Sequence, residues 1–235
     1  MRSDSMIIRP AAERGRSRRD WLDSRHTFSF GEYQDPRYMG FGALRVINDD
    51  RVLPGGGFAP HSHSDMDIIS YVLEGALQHQ DSLGTGSVIR PGEIQRMSAG
   101  TGITHSEYNA SQQQSVHFLQ IWIIPQRRAL PPSYEQCSFK PEDLIGRWFK
   151  LAAVEGAGGL VTIHQDLVLL GTRAAKETVV YQLPQGRHAW LQIARGSVNI
   201  NGRTLSEGDG AALMGPAAIS VSGAPEGEIL LFDMR

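Results

Sequence analysis

Among 235 residues there is a single cysteine, Cys137. That excludes an internal disulfide framework and any structural zinc cluster of the CxxC type, and such sparing use of cysteine suits a reducing cytoplasm. Cys137 itself reads as an inert small side chain. Long apolar runs are missing as well. The longest, Leu119 to Pro125, is cut by Gln120 and closed by Pro125, far short of the roughly 20 residues a membrane span needs. The Arg-rich start has no apolar stretch of the kind a secretory signal requires. Net charge is small, 23 Lys+Arg against 25 Asp+Glu for a formal −2, which argues against a main role in holding nucleic acid by counterion release. A soluble, cytoplasmic protein is expected, with no membrane partner and no direct nucleic-acid partner. Arg14, Arg16, Arg18 and Arg19, flanked by Glu13 and Asp20, read as a solvated face. Met6 is an alternative natural start, with residues 1–5 then an appended stretch.

What the chain does have is turns and short apolar runs. At 40% hydrophobic residues it is not disordered, and its length allows one large domain or two small ones. The 26 glycines and 12 prolines punctuate alternating segments, while helical periodicity is scarce, so the chain reads as all-β. Strands are expected near residues 43–48, 67–73, 76–81, 87–89, 94–97, 103–108 and 116–124. After Pro131-Pro132-Ser133 a second series follows near 160–164, 178–182, 189–194, 197–200, 211–213, 218–221 and 229–233. Strands this short and evenly spaced close most economically as sandwiches or barrels. The boundary falls near residue 130, giving domains 1–130 and 131–235. Residues 141–149 are expected to make one or two helical turns between them, with Pro141 at the first position.

The two series resemble each other. Val72-Leu73-Glu74-Gly75-Ala76-Leu77 aligns with Ile193-Ala194-Arg195-Gly196-Ser197-Val198, and Pro91-Gly92-Glu93 with Glu207-Gly208-Asp209, as two copies of one barrel would. The offset shortens between these anchors, as a shorter hairpin loop in the second copy requires.

Five of the eight histidines lie between residues 61 and 117, and two patterns stand out: His61-Ser62-His63 and His105-Ser106-Glu107. Residues two apart on a strand share a face, so each pattern projects two ligand-competent side chains to one side of a sheet. Brought together, three imidazoles and one carboxylate suit a divalent first-row metal and leave one or two positions open. His79, between Gln78 and Gln80, and His117, at the head of the next strand, are expected to be structural. His26, His164 and His188 have no paired partner and receive no role. Gly55, Gly56, Gly57, Gly100 and Gly102 precede the two patterns, where a strand bends at a barrel mouth. None of these glycine runs leads into Lys-Ser/Thr or a helix, so a nucleotide loop is not expected.

Gly55 followed by His61-x-His63 and Asp67 is similar to the first cupin motif, and Gly100-x-Gly102-x-x-His105-x-x-x-Asn109 to the second. More closely, HTFSFGEY, YMGFGALRVINDD, HSHSDMDIISYVLEG, EIQRMSAGTGITHSEYN and LQIWIIP, which fill residues 26–125 densely, resemble the pirin family of bicupins in its bacterial quercetin dioxygenase-like branch. The resemblance implies two tandem cupin barrels of jelly-roll type. The N-terminal one would bind one metal, Fe(II) foremost, through His61, His63, His105 and Glu107; the C-terminal one would have lost its site. By the repeat anchors, Gln182 and Pro184 stand where His61 and His63 would be, and Ser220 and Ser222 where His105 and Glu107 would be. Asp67 departs from the general cupin glutamate, at a position that pirin-like proteins do not use as the ligand.

The activity the resemblance implies is O2-dependent opening of the central ring of flavonols such as quercetin, with release of carbon monoxide. Glu107 is expected to act both as ligand and as general base toward the substrate 3-hydroxyl. Phe28, Phe30, Phe41 and Phe58 are candidates for the wall of a flat aromatic pocket or, equally, for core. The alternative is a pirin-like regulator that binds a transcriptional or metabolic protein partner according to the iron's oxidation state. A cupin isomerase or storage-type protein would require that no redox metal binds.

Overall fold

The computed structural model describes residues 6–235, so the expectation about residues 1–5 lies outside the described part. In chain order the strands are β1 (Ile7–Arg9), β2 (Gly15–Arg19), β3 (Leu22–His26), β4 (Leu44–Val52), β5 (Gly57–His63), β6 (Asp67–Glu74), β7 (Leu77–Asp81), β8 (Gly86–Ile89), β9 (Glu93–Ser98), β10 (Ile103–Asn109), β11 (Val116–Ile123) and β12 (Ser133–Ser138). There follow β13 (Phe149–Ala153), β14 (Val161–Thr162), β15 (Leu167–Arg173), β16 (Val179–Leu183), β17 (His188–Arg195), β18 (Ser197–Ile200), β19 (Arg203–Ser206), β20 (Gly210–Met214), β21 (Ala217–Gly223) and β22 (Glu228–Met234). Among the described residues, helix is confined to two 3-10 turns, Ala11–Glu13 and Pro141–Leu144, the second opening on Pro141 as expected. None of it is long and apolar enough to cross a membrane.

The chain forms two compact units: residues 15–139 with 161–165, and residues 6–14 with 140–160 and 166–235. A single cut in the sequence cannot describe such an exchange. Strand β1 enters the second unit because it pairs with β20, Ile8 opposite Ala211. In the first unit a large sheet runs β12-β9-β6-β11-β4-β3-β2 and a smaller one β5-β10-β7-β8. They face each other across apolar side chains: Val72, Val116 and Phe118 of the large sheet meet Leu77 and Ile89 of the small one, and Ile68 and Met97 meet Ile103. This is the double-sheet barrel that short alternating strands favour, because the inward row of one sheet is covered by that of the other.

The second unit repeats the plan, with β16-β21-β18-β19 as its small sheet. Its interior is aliphatic, built from Leu183, Leu191, Ile193, Ile219, Val221, Ile229 and Leu231 among others. Register corrects the repeat alignment here. Leu183 opposes Ala217 and Tyr181 opposes Ile219, the counterparts of His63 opposite Ile103 and His61 opposite His105. The inward positions matching the four expected ligands are therefore Tyr181, Leu183, Ile219 and Val221, not Gln182, Pro184, Ser220 and Ser222. A slip of one residue exchanges the two faces of a strand. Either set lacks an imidazole or a carboxylate.

Two glycines position the small sheet of the first unit. Gly100 has φ +48°, and a Cβ there would lie 1.9 Å from the Leu130 carbonyl oxygen; Gly57 lets β5 approach β10, where a Cβ would lie 2.5 Å from the Glu107 carbonyl oxygen. Gly100→Ala is expected to destabilise the protein by about 1–3 kcal/mol, read as a fall in urea midpoint. An unchanged midpoint would show that the turn relaxes freely.

Asp50 on β4 is buried, with one carboxyl oxygen left without a hydrogen-bond partner. Burial pushes its pKa up to about 7; a hydrogen bond from Ser24 works against the rise, and the Asp49 and Glu107 carboxylates add to it. A carboxyl whose folded pKa exceeds its unfolded one costs no stability below the unfolded value and progressively more as pH climbs to the folded value. Asp50→Asn is thus expected to match the parent near pH 4 and to exceed it by about 4 kcal/mol near pH 8. Equal unfolding free energies at both pH values would contradict the account.

Candidate metal centre

Strand β10 lies between β5 and β7, and its alternation is clean: Ile103, His105, Glu107 and Asn109 are buried while Thr104 and Tyr108 are exposed. Against β5, His105 is directly opposite His61, and Ile103 opposite His63. Against β7, Glu107 is opposite His79 and His105 opposite Asp81. A bulge between His105 and Glu107 on the β5 side breaks the ladder at the site. Period and register together bring both sequence patterns to the inner face of one small sheet.

The three predicted histidines meet. Ring centroids lie 4.8 Å apart for His61 and His63, 4.5 Å for His61 and His105, and 4.9 Å for His63 and His105. Each offers a donor atom within 4.8 Å of the others. Glu107 comes within the same distance of His105 and of His79, a residue expected to be merely structural. His79 carries a readable signal in hindsight: His79-x-Asp81 is a third pair at strand spacing.

The residues fit a cation on three counts. The His61 Nδ1 lies 2.8 Å from the Ala59 carbonyl oxygen; a carbonyl only accepts, so Nδ1 carries the proton and Nε2 keeps its lone pair. Both ring nitrogens of His105 are buried and have no hydrogen-bond partner, an arrangement that costs free energy until something electrophilic occupies it. Burial, helped by His61, lowers the pKa of His63 to about 4 and that of His105 to about 2. Both imidazoles are therefore neutral at physiological pH, as ligands must be.

Glu107 is fully buried, which raises its pKa, with His79, Gln120 and Ser70 working against the rise. Ser70 Oγ donates to Oε1 at 3.1 Å, and the Gln120 side-chain amide donates to Oε2. These two belong to a row of register partners crossing the large sheet, Gln95, Ser70, Gln120, Asn48 and His26, every one buried. His26 ends the row, hydrogen-bonded to Asn48 and Ser17 at 2.8 Å each. His117 pairs with Asp49 at 2.7 Å, a structural contact as expected. Asp67 accepts from Ser98 and, at 2.6 Å, from the His164 backbone N–H, so it tethers residues 161–165 rather than joining the histidines.

Of the four candidate pocket phenylalanines, Phe28 is buried and Phe58 packs with the core that holds Leu22, Val52 and Phe118. Phe30 sits edge-on to Trp122 at 5.4 Å, and Trp122 in turn sits edge-on to His63 at 4.9 Å. Trp122, which the sequence reading passes over, is the aromatic side chain beside the imidazoles. Its indole N–H reaches Gln120 Oε1 at 3.3 Å, linking this wall to the hydrogen bonds of Glu107.

Comparison with known proteins agrees with this geometry. A family model described as Pirin matches residues 8–123, and one described as the quercetinase C-terminal cupin domain matches residues 151–234. A quercetin 2,3-dioxygenase of Escherichia coli K12 is 46% identical over 230 residues, which are 97% of this chain and 98% of that protein. The crystal structure of the bacterial pirin YhhW from Escherichia coli in complex with nickel(II) superposes with a TM-score of 0.91 at 44% identity, covering 97% of this chain and 98% of that one. A quercetin 2,3-dioxygenase from Acinetobacter baumannii, 20% identical with a TM-score of 0.78 over 98% of this chain and 79% of its own, shares the fold. Two tandem cupin-type barrels and a close full-length likeness to bacterial relatives thus show that the chain belongs to the pirin family.

Proposed function

We propose that this protein is a metal-dependent dioxygenase that opens the central ring of flavonols such as quercetin, consuming O2 and releasing carbon monoxide. The observation that carries the reading is the convergence of His61, His63 and His105, the last with both nitrogens buried and unpartnered, in a chain whose relatives bear that enzyme name. His61, His63, His105 and Glu107 are taken as the metal-binding set in the N-terminal half, with no metal site in the C-terminal half. Fe(II) is taken as the ion used in the cytoplasm, although three imidazoles and a carboxylate accept other first-row divalent ions, and a relative has been solved with nickel(II).

When bound, the ion supplies a Lewis acid for the deprotonated 3-hydroxyl and a route for electrons toward O2. The chain's own residues do the rest. Glu107 takes the proton of the 3-hydroxyl; burial makes it a stronger base than an exposed carboxylate, and Ser70 and Gln120 hold both of its oxygens in place. Trp122, backed by Phe30, offers a flat apolar wall for the substrate rings and excludes water from one side of the imidazoles.

Reconstitution with Fe(II) under anaerobic conditions, then addition of O2 and quercetin, is expected to yield one carbon monoxide per quercetin consumed. Iron retained with no carbon monoxide would overturn the enzyme reading in favour of an iron-dependent regulator. Glu107→Gln is expected to keep the metal and lose at least about 100-fold in kcat. Full turnover in that variant would remove the base role.

A further inference from the structure

Of the histidines that the proposed metal set leaves out, His79 is the one that shares a donor group with His105 and Glu107. His79 is wholly buried on β7, directly across the ladder from Glu107. Its Nε2 lies 2.9 Å from Asp81 Oδ2. Asp81 is itself fixed, because Oδ1 accepts the backbone N–H groups of Leu83 at 2.9 Å and Thr85 at 3.1 Å. A carboxylate held by two backbone donors acts as acceptor toward the ring, so Nε2 carries the imidazole proton and Nδ1 carries the lone pair.

That Nδ1 is buried with no hydrogen-bond partner. The ring is clamped between Tyr134, centroid 5.0 Å away, and His105, centroid 5.4 Å away, and the Tyr134 hydroxyl is engaged by Ser87 and Gln136. An oriented lone pair, backed by a carboxylate on the far nitrogen, is the arrangement by which proteins present a histidine to a metal ion. His79 offers a ring nitrogen within 4.8 Å of donor atoms of His105 and Glu107, and Ser70 and Gln120, the donors that hold Glu107, bond to that carboxylate.

We propose that His79 is a fifth metal-binding side chain, and that the barrel contains an inner cation position, His79–His105–Glu107, adjoining the outer one formed by His61, His63 and His105. The inference rests on the metal reading of this site and extends it. His105 belongs to both triads, so one first-row divalent ion per chain is shared between two positions. Glu107 and His105, both already in the proposed metal-binding set, belong to the inner triad as well, so His79 is the side chain that the inner position adds.

The test uses Zn(II) and the full chain labelled with 15N, observing ring nitrogens by long-range 1H–15N correlation during a titration to one equivalent. The inner position predicts that the His79 Nδ1 signal moves to the metal-bound range together with that of His105. If only His61, His63 and His105 respond, His79 is no ligand and the inference is overturned while the metal reading stands. If no histidine responds, both are overturned. A second measurement removes the outer triad: the His61→Ala/His63→Ala chain, checked for fold by circular dichroism, is expected still to bind one Ni(II). Adding His79→Gln is then expected to weaken binding at least tenfold. Loss of all Ni(II) binding in the folded double variant, or equal affinity with and without His79→Gln, contradicts the proposal.

Discussion

The pairing register of β10 between β5 and β7 is the constraint on which the rest depends. It sets His105 against His61 on one side and Glu107 against His79 on the other, so that four ligand-competent groups share one inner face. A shift of either neighbour by a single residue would turn its ligand, His61 on β5 or His79 on β7, to solvent. The register is in turn set by the apolar inward rows of both sheets and by glycines where backbones come close, Gly57 against β10 and Gly100 against the Leu130 carbonyl. Stability of the barrel and composition of the site are therefore one problem, solved by the same strand alternation.

Around this frame the polar groups fall into two kinds. Some are engaged and structural: Asp67 with Ser98 and His164, Asp81 with its turn. Others are buried with unused bonding capacity, and three such atoms, both nitrogens of His105 and Nδ1 of His79, belong to two neighbouring rings. Burial of an unmatched acceptor is costly, and its concentration at one point marks where a ligand belongs. Desolvation also holds His63 and His105 neutral and raises the pKa of Glu107, giving unprotonated nitrogen donors beside a more basic carboxylate.

Much of this was legible in the residues. The all-β class, the paired barrels and the meeting of His61, His63 and His105 follow from turn punctuation and from strand spacing alone. Other elements carry weak signals. Strands β2 and β3 are rich in arginine on their outward face, β12 is a half-buried polar strand, and β15 reads Leu167-Val168-Leu169-Leu170 with no alternation to betray its period. The second barrel's counterpart positions were misread by one residue, because thin repeat anchors cannot hold a register that hydrogen bonding decides. Trp122 and His79 escaped for a different reason: each is ordinary within its own strand, and only the neighbouring strand gives it meaning.

A crystal soaked in Fe(II) under anaerobic conditions, with the anomalous signal of iron mapped at its absorption edge, addresses the central claim most directly. The account predicts a single strong peak on the inner face of the small sheet, at coordinating distance, about 2.1 Å, from nitrogens of His105 and its neighbours. A map without a peak among these imidazoles, or with iron bound only elsewhere on the protein, would contradict it.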